Sequence, residues 1–203
     1  LDGNGVTNCL FLDHENALVD GFTITNGSAI LTGGVRIYQG GTVMNCLIVG
    51  NKAVTAQSSG GGFYVECPSG TVAHCTVAGN SGGYQCFGGG LVRNGTLRNC
   101  LVSSNVVSGG SSACGGLFAV DATIESCTIA GNRVTASEGC GGLFRYAGTV
   151  YLYNCIVWSN YVGSVVSNYA GSLSAANNCT TPSLGTDCVT SDPLFTEAAG
   201  ENF

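Results

Sequence analysis

Hydrophobic and polar residues alternate along short stretches of this chain, and the stretches recur. Five segments each open with Gly-Gly and an apolar residue, continue with β-branched residues at alternate positions, and reach a cysteine that an asparagine follows five residues later. A period of two with β-branched residues predicts strands that bury one face. The glycine, asparagine and serine between these stretches predict turns.

The spacing of the repeated unit predicts a solenoid. Second glycines recur every 26 to 28 residues, whereas the offset from cysteine to asparagine never changes. The glycines are Gly34, Gly62, Gly90, Gly116 and Gly142, the cysteines Cys46, Cys75, Cys100, Cys127 and Cys155, and the asparagines Asn51, Asn80, Asn105, Asn132 and Asn160. A segment of constant length between turns of variable length is typical of a solenoid, in which the layers are stacked about 4.8 Å apart. We therefore expect an all-β, right-handed parallel β-helix of about six to seven layers, with three short strands in each.

Equivalent side chains of such a fold should touch their copies in the next layer. We expect the asparagines to lie at a bend, in the left-handed backbone region, and to form a hydrogen-bonded ladder. A second polar column precedes the cysteines and consists of Asn45, His74, Asn99, Ser126 and Asn154. The cysteine column should lie in the core as a single file, either as buried thiols that act as small hydrophobes or as disulfides between layers.

The chain should form a single domain over 1–203. The regular repeats occupy 33–160, residues 1–32 are interpreted as degenerate N-terminal layers, and 161–203 as an irregular capping segment. The stretch ALVDGFTITNG resembles one more layer, with Gly21 or Phe22 in the place of the cysteine. The opening residues have neither the basic nor the apolar region of a signal peptide, so we expect a piece of a longer chain.

Charge and cysteine content narrow the choice of partners and cofactors. Six Lys and Arg against twelve Asp and Glu give a net charge of −6, which disfavours nucleic acid and anionic lipid. Asn, Ser and Gly interrupt every apolar run, so no membrane insertion is expected. Twelve cysteines indicate an oxidising compartment or a metal site, but without a C-x-x-C pair and with two histidines neither a metal nor a cofactor is expected.

Two pairs of cysteines outside the regular column are candidates for disulfides. Cys114 and Cys140 each precede a Gly-Gly pair in neighbouring layers, where a flexible turn gives the geometry some freedom. Cys179 and Cys188 lie close together in the irregular C-terminal segment and form the second candidate pair.

Carboxylates that could support catalysis are few. Hydrolysis of a glycoside needs two carboxylates about 5 to 9.5 Å apart. Glu125 shares a column with Arg98, which predicts an exposed ion pair, and Asp121 is four residues away from Glu125. The densest acidic group, which consists of Asp13, Glu15 and Asp20 with His14, is either a cation or sugar site or the polar cap of a solenoid end. We predict no catalytic residue.

The residues after each Gly-Gly pair suggest a binding surface. If the first apolar residue faces inward, the next residue faces out, and these residues are Arg36, Tyr64, Val92, Phe118 and Phe144. We expect Tyr64, Phe118 and Phe144 to be exposed and to bind a ligand. A carbohydrate, a neighbouring β-helix or the chain's own loops, among them 52–59, would cover them.

The repeats also resemble a known group of proteins. The Gly-Gly-apolar openings and the apolar-x-x-Asn endings, such as Ile48 to Asn51, resemble the GGA[I/L] and FxxN repeats of chlamydial polymorphic outer membrane proteins, and they are similar to right-handed β-helix proteins of the pectin-lyase-like superfold. The tail from Asn178 to Pro182, with Asp192 to Phe195, resembles the end of bacterial choice-of-anchor β-helix proteins. The resemblance implies a secreted or cell-surface location.

Two functions follow as expectations. The first is an extracellular or cell-surface structural or adhesive module that binds carbohydrate or copies of itself and has no catalytic activity. The alternative is a polysaccharide lyase or glycoside hydrolase of the pectin-lyase-like superfold. The low number of charged residues favours the first function.

Overall fold

The protein is a stack of short strands in four sheets. The structure is a computed structural model that describes residues 1–54 and 59–195. Within these ranges the chain forms 28 strands, seven in each sheet. We number the sheets in the order in which the chain reaches them. The described ranges contain no helix that is long and apolar enough to cross a membrane.

The strands of each sheet come from successive layers. The first sheet contains β1 (Leu10–Leu12), β5 (Val35–Ile37), β9 (Phe63–Val65), β13 (Gly90–Arg93), β17 (Leu117–Val120), β21 (Leu143–Ala147) and β26 (Tyr169–Ala170). The second sheet contains β2 (Leu18–Asp20), β6 (Gly41–Met44), β10 (Gly70–Ala73), β14 (Thr96–Arg98), β18 (Thr123–Glu125), β22 (Tyr151–Tyr153) and β27 (Ser174–Ala176).

The other two sheets complete each layer. The third sheet contains β3 (Thr23–Thr25), β7 (Leu47–Val49), β11 (Thr76–Ala78), β15 (Leu101–Ser103), β19 (Thr128–Ala130), β23 (Ile156–Trp158) and β28 (Cys179–Thr180). The fourth sheet contains β4 (Ser28–Ala29), β8 (Lys52–Ala53), β12 (Ser81–Tyr84), β16 (Val106–Gly109), β20 (Arg133–Val134), β24 (Tyr161–Val162) and β25 (Val165–Val166).

Strand pairing confirms the predicted all-β solenoid. Neighbouring strands are parallel, apart from the antiparallel pair β24 and β25 near the C-terminal end. Seven strands in each sheet agree with the six to seven layers expected. The expectation of three strands in a layer was wrong, because a fourth strand follows the asparagine column. This strand has only two residues in β8 and β20, which is too short to show a period of two.

The interior is a set of apolar columns that run through the layers. In the second sheet the register brings equivalent residues side by side, and these residues are fully buried. They are Val43, Val72, Leu97, Ile124 and Leu152. Burial of each such side chain stabilises the fold by roughly 1.5 to 3 kcal/mol, so the core is distributed along the whole stack.

One register assignment from the sequence was wrong. Gly89, not Gly90, stands beside Gly62 and Gly116, with Gly62 N donating to Gly89 O at 3.0 Å. Gly90 therefore occupies an inward position, beside Phe63. A side chain there would collide with the Phe63 ring, since an added Cβ would lie 2.6 Å from it. Three consecutive glycines in the sequence conceal this shift.

Irregular segments cover parts of both ends of the stack. Leu1 and Gly3 hydrogen-bond with Thr23 and Thr25 along the outer edge of β3. At the other end Thr186 and Val189 form bridges with Ala176 and Cys179. Residues 55–58 of the predicted covering loop and 196–203 of the predicted capping segment lie outside the described residues.

Candidate functional site

A buried asparagine ladder joins the layers. The five asparagines of the repeat are fully buried. In each step the backbone N–H and the side-chain amide of one asparagine both donate to Oδ1 of the next, at 2.9 and 3.0 Å between Asn80 and Asn105. The same side-chain amide also donates to a backbone carbonyl, such as Ile48 O at 2.9 Å from Asn80 Nδ2. Asn168 continues the ladder above Asn160.

The backbone at the bend differs from the expectation. The asparagines are not left-handed, whereas the residue before each of them is, with φ from 52° to 66°. These preceding residues are Gly50, Gly79, Ser104, Gly131 and Ser159. The polar column before the cysteines is left-handed too, at φ from 51° to 56°. The αL residue turns the chain, which leaves the asparagine free to bond along the stack.

The repeat cysteines form a second ladder in the core. All five thiols are buried, and the backbone N–H of Cys46 reaches the thiol of Cys75 at 3.4 Å. Each thiol also donates to the carbonyl two residues earlier, as Cys75 Sγ does to Ala73 O at 3.1 Å. Phe22 and Asn178 take the equivalent places in the layers at the two ends. Each cysteine side chain thus packs in the core and also forms weak hydrogen bonds.

The structure contains no bond between any two of the twelve cysteines, all of which lie within the described ranges. Cys114 and Cys140 are paired across a parallel bridge, and their thiols contact each other. Burial, with the contact to Cys140, raises the pKa of the Cys114 thiol. The thiols of Cys179 and Cys188 reach different carbonyls, Ser191 O and Thr180 O. Both disulfides stay predictions.

The outward column of the first sheet is buried, contrary to the expectation of exposed aromatic residues. Tyr64 and Phe118 are only 5% and 4% exposed, and Leu91 stands between them where the sequence had placed Val92. Val92 belongs to the main core instead. Phe144, at the edge of the same cluster, is partly buried. Tyr64 and Phe118 are therefore not an open ligand surface.

The chain itself covers this column. Residues that connect the fourth sheet to the next layer form a ladder of isolated bridges, and its members are Thr32, Gly60, Phe87, Cys114 and Cys140. Phe87 stacks on Phe118 with ring centroids 4.0 Å apart. Together with Cys114 and Cys140 it completes a second apolar cluster outside the first sheet, which we call the outer cluster. The chain's own loops, one of three alternatives from the sequence, thus cover the middle layers.

A groove opens at the N-terminal end of the same face. There the described part of the connecting ladder contributes Thr32 and Gly60, which have small side chains, beside the outward residues Phe11 and Arg36. The groove has a volume of about 690 Å³ and is lined mainly by apolar side chains, among them Ile30, Leu31 and Val54. Thr7, Asn8 and Ser28 add uncharged polar groups. We call it the N-terminal groove.

Phe11 and Arg36, which line the N-terminal groove, contact the ring of Tyr38 and the carboxylate of Glu66 beside it. The rings of Phe11 and Tyr38 are stacked with centroids 6.0 Å apart, and they are 49% and 43% exposed. The guanidinium of Arg36 lies 5.5 Å and 5.0 Å from their centroids. Arg36 Nε donates to the carboxylate of Glu66, and this hydrogen bond raises the pKa of Arg36. The repeat pattern did not predict this site, because Phe11 lies before the first recognisable repeat.

The carboxylates considered for catalysis are dispersed. Asp121 accepts a hydrogen bond from the backbone N–H of Thr149 at 2.8 Å. Glu125 stands beside Arg98 in register, but the described residues contain no ion pair between them. Asp20 accepts from Asn45 Nδ2 at 2.8 Å. In the part of the chain that the structure describes, no three His, Cys, Asp or Glu side chains are grouped as a metal site.

Comparison with known proteins agrees with this architecture. No curated protein and no solved structure matches the chain. A sequence model described as a right handed beta helix region matches residues 2–157 of the 203. The match spans the repeats whose parallel strands and ladders are described above, and the chain belongs to the right-handed β-helix family.

Proposed function

We propose that the protein is a structural and adhesive module without catalytic activity, secreted or displayed at the cell surface, which binds carbohydrate in the N-terminal groove. The observation that carries the proposal is an open groove, lined by Phe11 and aliphatic side chains, at the N-terminal end of the face whose middle layers the outer cluster fills. A concave site of this volume with a few polar groups is typical of ligand binding.

The shaft is well suited to hold a binding site in place. Two ladders, one of asparagines and one of thiols, run through the layers inside a continuous core. A solenoid is stabilised by contacts between nearest layers, so each ladder step resists shear between two layers. The groove thus sits on a scaffold that changes little when a ligand binds.

The two groups of acidic residues considered for catalysis are too far apart to act together in hydrolysis. Asp13 follows β1, and Asp121 follows β17, four strands away in the first sheet. At about 4.8 Å per strand the two groups are roughly 19 Å apart, which is beyond the separation of about 5 to 9.5 Å that glycoside hydrolysis uses. Asp121 and Glu125 therefore form no catalytic pair with Asp13 and Glu15.

The extracellular location rests on composition and resemblance. Twelve cysteines in 203 residues are more typical of oxidising compartments than of the cytosol. The acidic net charge of −6 keeps such a module soluble and away from anionic surfaces.

The test is an assay for turnover beside an assay for binding. The protein is incubated with a panel of neutral and acidic polysaccharides, and released reducing ends and unsaturated products are measured. We expect no product and retention of the protein on at least one insoluble polysaccharide. Product release that is lost in Asp121→Asn or Glu125→Gln would contradict the proposal and establish the enzyme alternative.

A further inference from the structure

We infer that the N-terminal groove takes an uncharged oligosaccharide rather than an acidic one. The inference rests on the proposed function and specifies the ligand class of the same site. It follows from the aromatic surface, from the polar groups in the lining and from the way in which Glu66 neutralises Arg36.

The aromatic surface suits the faces of sugar rings. Phe11 and Tyr38 are each about half exposed, so part of each ring is accessible to a ligand. The apolar face of a pyranose, which carries axial C–H groups, packs on such a ring by dispersion and by its weak electrostatic attraction to the π face. An apolar peptide bound in the groove would not need the hydroxyl and amide groups that the lining also provides.

Those polar groups are uncharged and suited to sugar hydroxyls. Thr7, Asn8 and Ser28 line the groove beside its apolar wall. Asn8 Nδ2 donates to Leu10 O at the long distance of 3.4 Å, so the amide has capacity for a stronger partner. Hydroxyl and amide groups both donate and accept, which matches the mixed character of a sugar hydroxyl.

The charges near the groove disfavour the binding of an acidic sugar relative to that of a neutral one. Among the described residues that line the groove, Arg36 is the only charged one. Its guanidinium is bound to the Glu66 carboxylate, so the pair carries no net charge. Asp13 lies two residues after Phe11 in the sequence, just beyond the end of β1, and the chain as a whole carries −6. A polyuronate would thus meet repulsion without a free cation to offset it.

The experiment compares one oligosaccharide with and without its charge. Fully methyl-esterified hexagalacturonate and unesterified hexagalacturonate are titrated into the full chain by calorimetry, together with neutral hexasaccharides of glucose, mannose, xylose and galactose. We expect measurable binding of at least one neutral hexasaccharide, and the esterified form should bind at least about fivefold more tightly than the acid form at low ionic strength.

Two aromatic substitutions locate the site. Phe11→Ala and Tyr38→Ala should each weaken binding of the neutral hexasaccharide about 3- to 10-fold, the factor that one aromatic contact contributes. Tyr151→Ala is the matched control, because Tyr151 is 42% exposed and stacked on Tyr153 but lies in the second sheet near the other end. It should leave affinity unchanged.

Glu66→Gln tests the electrostatic argument separately. The variant keeps the size of the side chain and frees the charge of Arg36, so affinity for unesterified hexagalacturonate should rise at least about fivefold and fall again with salt. Affinity for the neutral hexasaccharide should change less than about twofold. A rise for the acid form is specific to charge and would not follow from a general loss of structure.

The outcomes separate the inference from the proposed function. Tighter binding of the acid form to the unsubstituted chain, or no binding of any neutral hexasaccharide, would overturn the inference. Neither result would show catalytic turnover, so the proposal that the protein is a module without catalytic activity would be unaffected. Product release in the turnover assay would overturn the proposed function, and with it the inference.

Discussion

The same face of the first sheet is filled in its middle layers and open at its N-terminal end. In the middle, Phe87, Cys114 and Cys140 lie over Leu91 and Phe118 and complete the outer cluster. At the end, Thr32 and Gly60 occupy the equivalent positions, and the N-terminal groove remains. The difference shows that residues in the connections between repeats, not the repeats themselves, determine where this solenoid offers a surface.

The comparison explains why similar outward residues have different roles. Phe118 and Phe11 both point outward from the first sheet, but one is buried and the other half exposed. The buried ring contributes to stability, whereas the exposed ring is available to a ligand.

The largest loss of stability should follow from breaking the asparagine ladder beneath both regions. Asn105→Ala removes the acceptor of Asn80 N and Asn80 Nδ2 and the donor to Val77 O. Because three buried hydrogen bonds are lost together, we expect the free energy of unfolding to fall by roughly 3 to 6 kcal/mol, measured by denaturant titration. The exposed Asn16→Ala is the control, and equal effects of the two substitutions would show that the ladder does not stabilise the stack.

A matched pair of leucines compares the filled and the open region directly. Leu91 is 0% exposed in the outer cluster, whereas Leu31 in the groove wall is 40% exposed. Leu91→Ala should destabilise the protein by about 2 to 5 kcal/mol, and Leu31→Ala by less than about 1 kcal/mol. A similar loss for both in denaturant titration would mean that the groove wall is packed as tightly as the cluster.

Thiol labelling tests whether Cys114 in the outer cluster is buried and whether it forms a disulfide with Cys140. The buried Cys114, whose pKa is raised, should react with iodoacetamide at least about tenfold more slowly than the partly exposed Cys188 in the native protein. In denaturant without reductant, the predicted disulfide requires Cys114 and Cys140 to stay unlabelled, as mass spectrometry of the peptides would show. Labelling of both there identifies free thiols, and rapid native labelling of Cys114 would contradict its burial.

The smallest effect should come from the exposed charges in the second sheet. Arg98 and Glu125 stand side by side without an ion pair between them in the described residues. Arg98→Ala should therefore change the free energy of unfolding by no more than about 0.5 kcal/mol. A loss above about 1 kcal/mol in the same titration would show that the pair forms in solution.

Much of the fold could be predicted because the motif from cysteine to asparagine has a constant length. That constancy fixes the register of Cys75 against Cys100 and of Asn80 against Asn105. The prediction was wrong at Gly90, where three glycines permit two alignments, and it missed the two-residue fourth strands. These errors came from short segments in which the sequence permits more than one local structure, whereas the fold itself was predicted correctly.

The candidate site could not be predicted from the repeats. Phe87 and Cys114 cover the outward column from positions outside the regular strands, so alternation in the strands carries no signal of their burial. The groove arises where the equivalent residues are small, and Phe11 in its lining stacks on Tyr38 of the next layer. Only the register of β1 against β5 brings these residues together.

The most direct test of the account measures stability and binding together in Phe118→Ala and Phe11→Ala. The account predicts that Phe118→Ala loses about 3 to 5 kcal/mol of unfolding free energy and retains the affinity for the neutral hexasaccharide. Phe11→Ala should lose the affinity and less than about 1 kcal/mol of stability. The account would be contradicted if Phe11→Ala destabilised the chain as much as Phe118→Ala does, or if both variants bound the hexasaccharide equally well.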